Sequence, residues 1–314
     1  MAAPFRFAEL RAAALRHVRK GRTDLKYDDL GIDLQKSYGF GFDADYDLRR
    51  LPPLDECDRE KWYAKFYYEG RGELPEETKK HFAPGNPMDA ACALLPGDCD
   101  RLTQRRDDAG DLGYCLLPDG VGYGSTHTLM RGVTPEMFDW YKRLRLTDRL
   151  SYQIWYPGAH YSELGGVTVE DVGFGRSRLH FLSPNSPENL GFTRHPTETD
   201  GEFCFLIGGN TVSENLEHPE VRPYVSSLFH YVRLLPEGLD FRTHFYIGAL
   251  CADGKLVRVQ RLAPEVCLEM ARRMVSHCCY ERSRVETFLP ELYERMKDVP
   301  LAESGGEGGL RIMK

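Results

Sequence analysis

Ala271-Arg272-Arg273-Met274-Val275-Ser276-His277-Cys278-Cys279-Tyr280-Glu281 is the stretch on which the reading of this chain turns. Val266, Met270, Met274, His277 and Glu281 follow one another at steps of three or four, the spacing that aligns side chains on one helical face. This spacing predicts a long amphipathic helix over 264–283 and beyond, whose core-facing stripe ends in an imidazole and a carboxylate. A carboxylate buried without a partner is costly, so buried charges are normally paired or bound to a metal. Two readings stand side by side. The pair chelates one ion, or it forms a His–Glu hydrogen bond at the edge of the core.

Working outward, the texture of the chain changes near residue 111. Segments rich in aromatic and β-branched residues recur at 112–117, 150–156, 176–182, 203–208, 226–235 and 240–250, each bounded by turns, and are expected as strands. A helix over 134–144 interrupts them, with Thr134 as N-cap and Pro135 at its first position. Antiparallel strands followed by one long C-terminal helix predict an α+β domain over 111–300. In such a domain the helix lies across a curved sheet and lines a cavity. Residues 1–110, punctuated by Pro52-Pro53, Pro84-Gly85 and Pro96-Gly97, are expected as an N-terminal extension. Its aromatic run from Trp62 to Tyr68 should pack on the domain. The tail 301–314, with Ser304-Gly-Gly-Glu-Gly-Gly309, has the composition of a flexible linker.

At 314 residues, with 41% hydrophobic and 28% charged residues, the chain can bury a substantial core. The net charge of −7 excludes a nucleic-acid binder, which needs a basic surface. No apolar run approaches the ~18 residues of a membrane span. Nine scattered cysteines without a CxxC spacing predict free thiols and a cytoplasmic location. The basic stretch from Phe5 to Arg22 is expected as a surface helix rather than a transit peptide, given Glu9 and its lack of serine. A homodimer is left open.

Several motifs fail on inspection. Asp43-Ala-Asp45-Tyr-Asp47 begins like a calcium loop, but Leu48 and Leu54 replace its glycine and final glutamate. No GxSxG, HExxH or Walker sequence occurs. Gly122-Tyr123-Gly124-Ser-Thr-His127 lacks a dinucleotide context, and its glycines suggest a turn or close packing. Ile154-Trp-Tyr-Pro157-Gly158-Ala-His160-Tyr-Ser-Glu163 puts an imidazole and a carboxylate at a strand end, where functional groups tend to sit. Strict alternation in 228–234 turns His230 inward with Leu228, Val232 and Leu234, as an acid–base candidate or a core histidine. His244 reads as outward.

Taken in order, several motifs resemble the phloretin hydrolase and 2,4-diacetylphloroglucinol hydrolase family over residues 85–295. They are Gly113-Tyr-Cys-x-x-Pro118-Asp-Gly120, Thr126-His-Thr, Gly132-Val-Thr-Pro-Glu-Met137 with Trp140, Ile154-Trp-Tyr-Pro157, His277-x3-Glu281 and Phe288-Leu-Pro-Glu-Leu-Tyr293. The resemblance implies a Bet v 1-like (START-type, helix-grip) fold and one zinc ion held by two His and two Glu. It also implies hydrolysis of the carbon–carbon bond between an acyl group and a polyhydroxylated ring. By motif, His127, His277 and Glu281 match three ligands. Gly158 stands where an acidic fourth ligand is first sought, so Glu163 is expected there, with His160 as its substitute. A small-molecule aromatic ketone is the implied substrate. His230, or His160, is expected to deliver the ring proton, and Tyr123, Tyr152 and Tyr156 to orient ring hydroxyls. A non-catalytic cavity protein and a purely structural zinc domain are the competing readings.

Overall fold

The computed structural model describes residues 51–104, 110–172, 175–217, 223–260 and 262–301. The expectations for Phe5–Arg22, for Asp43–Asp47 and for the tail beyond 301 lie outside them. Eight strands form one antiparallel sheet: β1 Gly113–Leu116, β2 Gly122–Arg131, β3 His160–Ser162, β4 Thr168–Glu170, β5 Ser177–Pro184, β6 Phe203–Asn215, β7 Tyr224–Leu235 and β8 Gly238–Ile247. Their spatial order is β1-β2-β8-β7-β6-β5-β4-β3. β9 Ala249–Ala252 and β10 Lys255–Arg258 make a separate ribbon.

Four helices matter for the site: α1 Ala64–Tyr68, α2 Pro135–Arg145, α3 Arg149–Gln153 and α4 Pro264–Met296. α2 starts as its sequence dictates, with the Thr134 hydroxyl accepting from the Met137 N–H and Pro135 in the first turn. α4 carries the stripe that opened the sequence reading, and Val266, Met270, Met274, His277 and Glu281 are all buried. It runs 13 residues past the expected 283, to Met296.

α4 lies against β2 and β1 at one edge of the sheet, while His160 at the start of β3, the opposite edge, touches His277 on the same helix. The sheet therefore curls until both of its edges reach α4. Close approach on the β2 side depends on glycine. A Cβ at Gly124 would stand 2.8 Å from a Val275 methyl and 3.1 Å from the Ala271 carbonyl, so the Gly-x-Gly of β2 serves close packing. The aromatic run of the N-terminal segment joins the core at the far end of α4, where Phe66 of α1 meets Phe288 at 5.9 Å between ring centres.

Two expectations about elements change. Residues 150–156 form α3 and a turn rather than a strand. The Asp148 carboxylate caps the helix by accepting from the Ser151 N–H, and it is itself held by the Tyr63 hydroxyl. The aromatic and branched residues that suggested a strand, Leu150, Ile154 and Trp155, instead fill the core beneath α4. The second change concerns the sheet's outer face, which is also covered. Leu94, Leu102, Tyr123, Tyr231 and Tyr246 form a second core there, so His244 points away from the cavity and is nonetheless buried. Among the described residues no helix is long and apolar enough to cross a membrane, and all nine cysteines are free thiols.

The helix–sheet contact makes a direct prediction. Gly124→Val should cost about 1–3 kcal/mol through overpacking, read as a lowered unfolding midpoint. Gly201→Ala, whose added Cβ meets nothing within 4 Å, should leave the midpoint unchanged.

Candidate metal centre

Two short-range repeats bring four side chains together. In the β3–β4 hairpin His160 and Glu170 are directly opposed across the strands, so both project from one face. On α4, His277 and Glu281 lie one turn apart. His160 Nε2 stands 3.1 Å from His277 Nε2, 3.3 Å from Glu281 Oε2 and 3.9 Å from Glu170 Oε2. His277 Nε2 is 3.8 Å from the same Glu281 oxygen.

Surrounding groups fix each ring. The His160 ring stacks flat on Tyr152, with centres 4.2 Å apart, and its Nδ1 faces the Tyr152 carbonyl at 3.3 Å. The His277 ring lies against Tyr156 at 4.8 Å and bonds the Asp171 backbone. With their other nitrogens directed to backbone groups, the two Nε2 atoms face each other. The Tyr152 hydroxyl donates to Glu170 Oε2 at 2.8 Å. Glu281 Oε1 takes the Cys278 thiol at 3.0 Å and the Arg282 guanidinium at 3.1 Å, which leaves Oε2 toward the histidines. The Trp155 indole N–H donates to the Glu281 carbonyl at 2.8 Å, tying α4 to the chain that enters β3.

This donor set fits a divalent cation. His160, Glu170 and His277 each offer a ligand atom within 4.8 Å of the others, and Glu281 closes on both rings. Tetrahedral zinc with bonds of ~2.0–2.1 Å spaces its ligand atoms about 3.3–3.4 Å apart, and the observed separations bracket that spacing. Facing lone pairs repel without an intervening cation or proton. Burial keeps His277 neutral, lowering its pKa to about 3. Burial pushes the Glu281 carboxyl up, but Arg282 and the two histidine rings outweigh it and hold the group well below the usual carboxylate range. Glu170 is shifted up by burial, opposed by His160 and reinforced by the charge of Glu281, a repulsion that a cation would relieve.

The cluster forms one end of a cavity of about 200 Å³. Phe138, Phe181, Ile207, Leu228, Phe241 and Phe245 supply its apolar walls, and His230, Arg145, Glu163 and Arg282 add polar groups. His230 faces inward as strand alternation predicts. Its Nδ1 meets the Thr243 hydroxyl at 2.8 Å and its Nε2 lies 3.4 Å from an Arg282 nitrogen. Burial and the Arg282 charge hold its pKa well below the usual histidine value, so the ring is neutral.

The structure does not bring His127 to this cluster. In the β2–β8 register His127 opposes Arg242, whereas Thr126 opposes Thr243 and Gly124 opposes Phe245 on the cavity side. His127 thus points to the outer face, where its Nε2 lies 2.5 Å from Asp240. Tyr123 shares that face and bonds His244 at 2.9 Å, away from the cavity. Glu163 does line the cavity but is paired with Arg145 at 2.8 Å, and the cluster's second carboxylate is Glu170. His160, expected as a substitute ligand or a proton donor, stands inside the cluster. Tyr152 lines the cavity while stacking on His160 and bonding Glu170, whereas Tyr156 packs on His277 and is not among the lining residues. Glu170 was missed because three-residue strands carry almost no periodicity. The available signal was a carboxylate ten residues after His160 across the Gly165-Gly166 turn.

Metal uptake separates these assignments. His160→Ala, Glu170→Gln and His277→Ala should each weaken divalent-cation binding at least about 10-fold, while His127→Ala and Glu163→Gln should leave it unchanged, as read by zinc titration calorimetry. The metal-free protein should also be acid-sensitive. His277 and His244, the latter held near 3 by burial and Arg242, stay neutral when folded but bind protons when unfolded at about 6.5. The unfolded chain therefore holds more protons between these values, and stability should fall as pH drops from about 6.5 toward 3. A midpoint independent of pH over that window would contradict the burial of these rings.

The family model "DAPG hydrolase PhiG domain" matches residues 94–165 and 163–294. The chain is 26% identical over 270 residues to 2,4-diacetylphloroglucinol hydrolase of Pseudomonas protegens, covering 75% of this chain and 84% of the relative. It is 23% identical over 271 residues to phloretin hydrolase of Eubacterium ramulus, covering 78% and 94%. With most of the sheet and all of the paired His–Glu positions inside the matched region, the chain belongs to the DAPG hydrolase PhiG domain family and is an enzyme of the hydrolase kind.

Proposed function

We propose that this protein is a zinc-dependent hydrolase that cleaves the bond between an acyl group and a polyhydroxylated aromatic ring, giving a carboxylic acid and the deacylated phenol. The observation that carries this reading is the convergence of His160, Glu170, His277 and Glu281 at the end of a largely apolar cavity. The printed activities of its relatives, on 2,4-diacetylphloroglucinol and on phloretin, support the same substrate class. The helix-grip reading of the fold is supported by a sheet whose two edges both reach α4. Residues 111–300 would form the catalytic domain and 1–110 its extension.

Zinc held by the cluster would supply Lewis-acid polarisation of the acyl carbonyl and an acidified water. The chain's own residues do the rest. Tyr152 and the backbone of Asp171 keep the histidines and Glu170 aimed. The phenylalanine walls offer apolar faces to the flat ring. Water adds to the acyl carbon, the ring carbon takes a proton as a ring hydroxyl ionises, and the acyl–ring bond then breaks with its electron pair moving onto that ring oxygen. Ring hydroxyls ortho and para to the acyl group are needed because a bare aryl anion is too basic to leave. His230 is neutral, with its Nε2 lone pair beside Arg282. It can therefore hand the ring only a proton that it has first taken from the attacking water.

The protein should cleave a 2,4,6-trihydroxyphenyl ketone and leave the matched ketone without ring hydroxyls intact, as read by mass spectrometry of the released acid. His230→Asn should keep its metal and lose about 10²–10⁴-fold in turnover. A zinc-loaded wild type that binds acylphloroglucinols without cleaving any of them would replace this reading with that of a carrier.

A further inference from the structure

The charge balance of the cavity isolates one residue. Arg145 is matched by Glu163 at 2.8 Å, and Lys142 shares Asp139, at 3.2 Å, with the exposed Arg143. Among the described residues the carboxylate paired with Arg282 is Glu281, whose other oxygen faces the two histidines. A divalent cation in the cluster would be neutralised by Glu170 and Glu281 together. The guanidinium of Arg282, 5% exposed and lining the cavity, would then be a buried positive charge without a full counter-ion. Such a charge is strongly unfavourable unless an anion meets it. Its Nε has no hydrogen-bond partner. Its planar group lies over Trp155 and Phe241, with the guanidinium carbon 4.6 and 4.5 Å from their ring centres, so its orientation is set by stacking.

We propose that Arg282 is a further catalytic residue, whose guanidinium receives the ring oxygen that becomes negative as the acyl–ring bond breaks. The inference rests on the reaction proposed above. Water's oxygen bonds the acyl carbon and its proton passes to the ring carbon as an ortho or para hydroxyl ionises, which puts the ring in its keto form; the acyl–ring bond then breaks and its electron pair moves through the ring onto that oxygen. The oxygen then takes back the proton it gave up, which restores the phenol. Arg282 lies 3.4 Å from His230 Nε2, so the group that holds the developing anion sits next to the group that carries the proton. A fixed cation in a water-poor cavity stabilises such a developing charge far better than it would in water.

Zinc-loaded full-length Arg282→Ala and Arg282→Gln can be compared with wild type for metal content, calorimetric binding of phloroglucinol, and turnover of an acylphloroglucinol. Compared at equal metal occupancy, the expected result is weaker phloroglucinol binding and about 10²–10³-fold lower turnover per bound metal, with added guanidinium ion restoring part of both in Arg282→Ala. Metal-replete variants that bind and turn over like wild type would overturn the inference. So would activity lost only in proportion to lost metal, with no guanidinium rescue. If wild type itself cleaves no acylphloroglucinol, the proposed reaction fails. If wild type cleaves and the variants do too, only the role of Arg282 fails.

Discussion

Two imidazole nitrogens held 3.1 Å apart, each with its other ring atom directed to a backbone group, set the central constraint of this structure. Two ring nitrogens at that distance share a proton or a cation between them. Much of the surrounding architecture works to keep them there. Tyr152 stacks on one ring and Tyr156 packs on the other, while Trp155 fastens the Glu281 carbonyl to the segment that leads into β3. Moving α4 by one turn relative to that segment would separate the rings and take Glu281 away from His160, leaving it the Cys278 and Arg282 contacts of its own helix.

The fold serves that constraint by curving. A sheet whose β1–β2 edge packs on α4 and whose β3 edge returns to it must enclose space in between. In this chain that space is a cavity walled by phenylalanines and lined by Glu170, His277 and Glu281. Close approach of helix and sheet at Gly124 leaves no depth on the β2 side. The cavity therefore opens beneath β6, β7 and β8, where Ile207, Leu228 and Phe241 face inward.

The outer face of the sheet shows how register decides which histidine can act. His127 and His244 lie on that face and His230 on the inner one, although all three sit in strands of similar composition. Burial lowers the pKa of both His230 and His244, so a perturbed pKa alone does not distinguish a cavity residue from one sealed in a second core. Position relative to the cavity does.

The helical half of the site was legible in the chain itself. The spacing of His277 and Glu281 on an apolar stripe is a local property, because a helix repeats every 3.6 residues wherever it packs. The Thr134-Pro135 start of α2 and the inward turn of His230 were local in the same sense. The other half depends on which strands pair. His160 meets Glu170 only because a hairpin turns between them, and it meets His277 only because the sheet curls across eight strands. The motif that resembled a ligand position, at His127, was read without a register, and the pairing of β2 with β8 turned it outward. Sequence periodicity thus fixes which side chains share a face of one element. Which faces confront each other is decided by long-range pairing and curvature, which no short stretch of sequence encodes.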